Sequence, residues 1–123
     1  MESLHSTVIA VAEDKKSSQI KLIDMENTSD ICSFQLLCSA ENERHAQAIA
    51  DSIEKECRNK LQIRANTIEG KSTGSWILMD FGSLLVHIFL KETRAYYAFD
   101  SLCIGKKIIY PTNLDNHKIN LEK

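Results

Sequence analysis

Chemistry in this chain would have to come from a short apolar hairpin that carries a few polar groups. Trp76, Asp80 and His87 stand within residues 76–90, beside Leu78, Gly82 and Phe89. Trp76 is the sole tryptophan and opens a strand next to a polar loop. Such a ring serves either as a partly buried core group or as an anchor at an interface, since it gains contact area at low entropic cost. Asp80 can accept backbone N–H groups of the Gly82-Ser83 turn, as Asx residues do, or it can hold a metal. Nucleotidyl transfer would need a second carboxylate close by to keep magnesium against a triphosphate, and no D-x-D or D-x-E pair stands near this turn. His87 lies within an apolar strand, where a lone histidine is more often a satisfied core or contact residue than a ligand.

The remaining polar residues do not gather into a motif. His5, His45 and His117 are scattered, and Gly70 and Gly74 lack the G-K-[ST] ending of a phosphate loop. Cys32, Cys38, Cys57 and Cys103 form no C-x-x-C pair. They read as reduced thiols of a cytoplasmic protein. No cofactor or metal is expected.

These side chains need a scaffold, and the hydrophobic pattern supplies one. Leu4, Val8, Val11 and Ala12 predict an amphipathic helix over residues 3–16. Residues 19–25 and 31–39 read as strands, with a turn at residues 27–30. Asn42 is an N-cap for a helix over residues 43–59, with Ala46, Ile49, Ala50, Ile53 and Cys57 on one face. The alternation of Leu61, Ile63, Ala65 and Thr67 suggests a third strand. Residues 76–81 and 84–90 form a hairpin whose strands are expected to be covered on both faces. A loose helix follows over residues 91–102, and the chain is expected to be poorly ordered from residue 107 onward. The result is an α/β (α+β) domain, a mixed sheet of about five strands with helices on it, over residues 1–106, with a flexible polar tail over residues 107–123.

The chain has 123 residues and a net charge of −2, which argues against a sequence-independent nucleic-acid binder. It leaves room for docking on a basic protein of a ribonucleoprotein. No segment is apolar enough over about 20 residues to span a membrane, and residues 1–5 do not read as a secretory signal.

The stretch Glu69-Gly70, Gly74 to Gly82 and Val86-His87-Ile88-Phe89 resembles the E-G…W-x-L-x-D-[YF]-G…V-H-x-F signature of the ribosomal silencing factor (RsfS, or Iojap) family. Arg44-His45-Ala46-Gln47-Ala48-Ile49-Ala50-Asp51 is similar to that family's R-H-V-Q-A-I-A-D run, and Asp14-Lys15-Lys16, Arg94, Tyr97 and Leu102 also fit. The likeness spans about residues 4–103. Ser33-Phe34-Gln35 departs from the family's Asp-Tyr-Phe, Ala40 from a glycine and Cys103 from a tryptophan.

The resemblance implies a nucleotidyltransferase-like fold without transferase activity. It implies binding to protein number fourteen of the large ribosomal subunit and steric exclusion of the small subunit when nutrients are scarce. It also implies a possible homodimer off the ribosome. Trp76, Leu78, Asp80, Gly82, His87 and Phe89 are the expected partner-binding residues. The alternative reading is a degenerate nucleotidyltransferase that still binds nucleotide.

Overall fold

A computed structural model of the chain describes residues 3–25 and 33–111. Within them the order is α1 (Leu4–Asp14), β1 (Ser18–Asp24), β2 (Phe34–Ala40), α2 (Glu43–Glu56), β3 (Thr67–Glu69), β4 (Trp76–Asp80), β5 (Leu84–Leu90), α3 (Lys91–Tyr96) and β6 (Lys107–Tyr110). A π-helical turn, Cys57–Leu61, prolongs α2, and a 3-10 turn, Phe99–Cys103, follows α3. The strands form one mixed sheet in the order β3-β4-β5-β2-β1-β6. Only β2 and β5 run parallel, with Leu36 opposite Val86 and Cys38 opposite Ile88.

The two longer helices, α1 and α2, begin where the sequence offers a cap. The Ser3 and Ser6 side chains satisfy each other's backbone N–H groups at the start of α1. Asn42 accepts from the His45 N–H at 2.8 Å at the start of α2. Both helices lie on one face of the sheet. Val8 and Val11 of α1 and Ala46, Ile49, Ala50 and Ile53 of α2 are buried in one core with Leu22, Leu36, Cys38, Ile77, Met79, Val86 and Ile88. Burying such side chains contributes about 1.5–3 kcal/mol each and dominates the stability of the fold. Cys38 and Cys57 are free thiols within this core, and burial pushes them up to about 12 and about 11.

The other face is covered by the chain that follows β5. A smaller cluster there contains Ile23, Met25, Leu37 and Phe89, with Trp76, Leu85, Phe99 and Ile108 packed on it. Arg94 pins this cover down. It is 2 % exposed and donates to the Gln19 carbonyl at 2.7 Å, to Ser39 Oγ at 3.0 Å and to both oxygens of Asp100 at 2.7 and 3.0 Å. The guanidinium beside Asp100 holds that carboxyl below its usual range, with Lys21 helping at 3.1 Å.

Three expectations are corrected. The alternating residues 61–67 are not a strand. Helix α2 runs on through its π turn, and Gln62 ends it in the left-handed region at φ 55°. Pairing starts only where the Asn66 N–H donates to the Asp80 carbonyl, so β3 is displaced to Thr67–Glu69. Residues 107–110, expected to be disordered, form the edge strand β6, because Ile108 meets Ile23 and Tyr110 meets Leu22 across an otherwise bare edge of β1. The hairpin is covered on both faces along β5 only. On the face away from α1 and α2, Trp76, Leu78 and Asp80 of β4 remain half-buried. The expected turn at residues 27–30 lies outside the described residues.

Candidate functional site

Strand alternation and register bring the expected residues together. Trp76 lies opposite Phe89, Leu78 opposite His87, and Asp80 opposite Leu85, so all six side chains share the face away from α1 and α2. Gln35 and Leu37 of β2 extend that face beyond β5.

The polar groups at its centre form a short relay. The Trp76 indole Nε1–H donates to His87 Nδ1 at 3.2 Å, and His87 Nε2 lies 2.8 Å from Gln35 Oε1. An indole N–H can only donate. Nδ1 is therefore the acceptor, and the imidazole carries its proton on Nε2, where it donates to Gln35. His87 is 5 % exposed, and burial lowers its pKa to about 4. It is neutral under ordinary conditions, as the relay requires. Its ring stacks on Phe89 with centroids 5.6 Å apart, and Phe99 closes over both at 5.1 and 4.7 Å.

Burial divides the six expected residues. Phe89 is fully covered and His87 nearly so; both were expected to contact a partner, but they lie beneath the half-open face rather than on it. Phe99, on the segment after β5, covers them, and Phe99 and Tyr97 pack on Trp76 with centroids 5.0 and 5.4 Å away. Trp76, Leu78, Asp80 and Gly82 keep access to solvent. Asp80 serves the turn, its Oδ1 accepting the Gly82 N–H at 2.8 Å. Among the described residues, no three His, Cys, Asp or Glu side chains converge on a point where a metal ion could sit.

The loop before β4 is fastened to α2. Gln47 donates to the Lys71 carbonyl at 2.8 Å, and Lys71 pairs with Asp51 and with Glu54. Gly70 takes φ 80° and lies so close to Trp76 that any Cβ would run into the Trp76 carbonyl oxygen. His45 receives the Glu41 N–H on Nδ1 and reaches the Lys15 carbonyl with Nε2 at 2.7 Å. The polar residues of the 44–51 segment thus join α1, α2 and the hairpin loop, and so set where Trp76 emerges.

Sequence reasoning missed Gln35, Phe99 and Asp100, and it read the pair Tyr96-Tyr97 as core although both rings are exposed. Gln35 and Asp100 act through partners 52 and 6 residues away, and no local pattern marks them.

A six-stranded mixed sheet with two helices on one face and a half-open aromatic surface on the other defines a small α/β domain. The family model described as "Ribosomal silencing factor during starvation" matches residues 1–122. A protein from Halalkalibacterium halodurans named "Ribosomal silencing factor RsfS" is 33% identical over 101 residues, covering 82% of this chain and 86% of its own. A crystal structure from Bacillus halodurans superposes with a TM-score of 0.73 at 32% identity, over 80% of this chain and 91% of that one. A Chromobacterium violaceum structure at 24% identity shares the fold with a TM-score of 0.79, over 92% and 95% of the two chains. The chain belongs to the ribosomal silencing factor family. Its family is one of ribosome-associated regulators of translation. No helix among the described residues is long and apolar enough to cross a membrane.

Proposed function

We propose that this protein represses translation in the cytoplasm by docking on the large ribosomal subunit, through its protein number fourteen, and keeping the small subunit away by its volume. The observation that carries this reading is the half-open face of β4. Trp76 and Leu78 are half-buried there, and the exposed rings of Tyr96 and Tyr97 continue the apolar surface. Surface of this kind, centred on an aromatic anchor and rimmed by polar groups, suits a protein interface. Trp76, Leu78, Asp80 and Gly82 make the contact, while His87 and Phe89 fix its shape from below. Steric exclusion needs no active site, and Asp80 is engaged by its own turn. Off the ribosome, two copies joined through the same apolar face would form a homodimer that competes with docking.

Co-sedimentation with isolated large subunits tests the reading. Leu78→Ala and Trp76→Ala are expected to weaken binding, and the parent protein is expected to slow subunit joining followed by light scattering. Joining at the usual rate in saturating amounts of the protein would refute the mechanism.

A further inference from the structure

A second feature adjoins Trp76. A shallow cleft of about 360 Å³ is lined by Ser75, Trp76, Glu92, Thr93, Tyr96 and Tyr97. Its walls are aromatic. Tyr97 lies 5.4 Å from Trp76, and Tyr96 meets Tyr97 edge to face, with centroids 5.0 Å apart and planes at 90°. Its single charged lining residue is Glu92, which is exposed and makes no ion pair among the described residues. Glu92 and Tyr96 stand four residues apart on α3 and so share one side of that helix. Tyr96 is 82 % exposed, so most of its ring faces solvent although its edge meets Tyr97.

From this arrangement we infer that the cleft receives a cationic side chain, an arginine or lysine presented by the protein on which this chain docks. The inference rests on the docking face proposed above and names the chemistry of one contact at its rim. A cation over a tyrosine face is attracted by the ring's quadrupole, and a carboxylate on the same wall adds a direct charge partner. A planar guanidinium satisfies both at once, stacking on Tyr96 while it forks onto Glu92. An acidic or purely apolar group would leave Glu92 repelled or desolvated without compensation. The neighbouring cations are already occupied: Lys91 pairs with Glu41 at 2.8 Å and Arg94 with Asp100 at 2.7 Å. Neither neutralises Glu92 from within the chain.

The test is co-sedimentation of the full chain with isolated large subunits across a series of potassium concentrations. Glu92→Lys is expected to lower affinity more than tenfold. Glu92→Gln is expected to lower it about three- to tenfold and to flatten the salt dependence, because one charge pair is gone. Tyr96→Ala should weaken binding several-fold and Tyr96→Phe should restore it, since the ring face and not the hydroxyl is required. Both residues are exposed, so the variants should keep the parent's circular dichroism and unfolding midpoint. Parental affinity for Glu92→Lys, with Leu78→Ala still defective, would overturn the cation cleft and leave the docking face standing. Parental affinity for Leu78→Ala and Trp76→Ala as well would overturn the face itself, and the cleft with it.

Discussion

The indole N–H of Trp76 donates to Nδ1 of His87 at 3.2 Å, and this one bond settles where the imidazole keeps its proton. It also commits His87 to donating toward Gln35. Replacing Gln35 with leucine leaves the buried Nε2–H without an acceptor, which is expected to cost about 1–3 kcal/mol. Nitrogen chemical shifts of His87 in the parent protein should report the Nε2–H tautomer. Observation of the Nδ1–H form would show that the relay is wrongly drawn.

The same histidine makes stability depend on pH. Its folded pKa of about 4 lies below the ordinary 6.5. The folded state therefore binds fewer protons than the unfolded chain, so stability is complete above about pH 6.5 and falls as pH drops toward 4. Between pH 7.5 and 4.5 the loss from this group is expected to be about 2–3 kcal/mol. Asp100, held low by Arg94, adds a further loss only at more acid pH, where its carboxyl takes up a proton. Urea unfolding at both pH values checks the size. His87→Gln should flatten the slope, and an unchanged slope would assign it elsewhere.

Arg94 links the cover over the aromatic cluster to the rest of the sheet. Asp100→Asn keeps the shape but removes the charge that neutralises a buried guanidinium. It is expected to destabilise the chain by about 1–3 kcal/mol, at the lower end because Asp100 is partly solvated. Tryptophan emission should also shift, since Phe99 and Tyr97 are held against Trp76 by the same segment. Unchanged emission and midpoint would show that the cover does not depend on this pair.

Gly70 tests the approach of the loop to β4. Gly70→Ala must both accept φ 80° and displace the Trp76 carbonyl, so a loss of about 2–4 kcal/mol is expected. Gly105→Ala shares the positive φ at 75° but meets nothing within 4 Å, and should cost only about 1 kcal/mol. Equal midpoints for the two variants would mean that the steric part of the argument is wrong.

Leu78→Ala and Trp76→Ala differ in what they report. Leu78 is half-exposed and its truncation should cost about 1 kcal/mol, leaving a clean binding defect. Trp76 packs on Phe89, Phe99 and Tyr97, so its truncation should also cost about 2–3 kcal/mol. Binding by Trp76→Ala must therefore be compared at matched folded fraction.

Much of this fold is legible in the residues themselves. Asn42 and the spacing of Ala46, Ile49, Ala50 and Ile53 mark α2, and the two apolar runs around Gly82-Ser83 mark β4 and β5. The Asx turn at Asp80 is also local, and it was among the readings open from sequence. What stayed hidden depends on distant pairing. Lys107–Tyr110 is only four residues long and becomes a strand because β1 offers it an edge. Residues 61–67 alternate like a strand but have no neighbour to pair with until Asn66. The candidate site residues come from the motif they share with a family. Their division into exposed and covered positions was not legible, because it depends on Phe99 folding back over His87 and Phe89 of β5.

The parallel seam at the middle of the sheet has its own consequence. It joins residues 34–40 to residues 84–90, and everything between them must be threaded to one side before the seam can close. Neither half of the polypeptide holds a finished hydrophobic layer, so fragments cut in the 70–75 loop should be unfolded alone and regain shape only when mixed. Assembly should then be slow for so short a chain, since a long closure precedes the contacts that reward it.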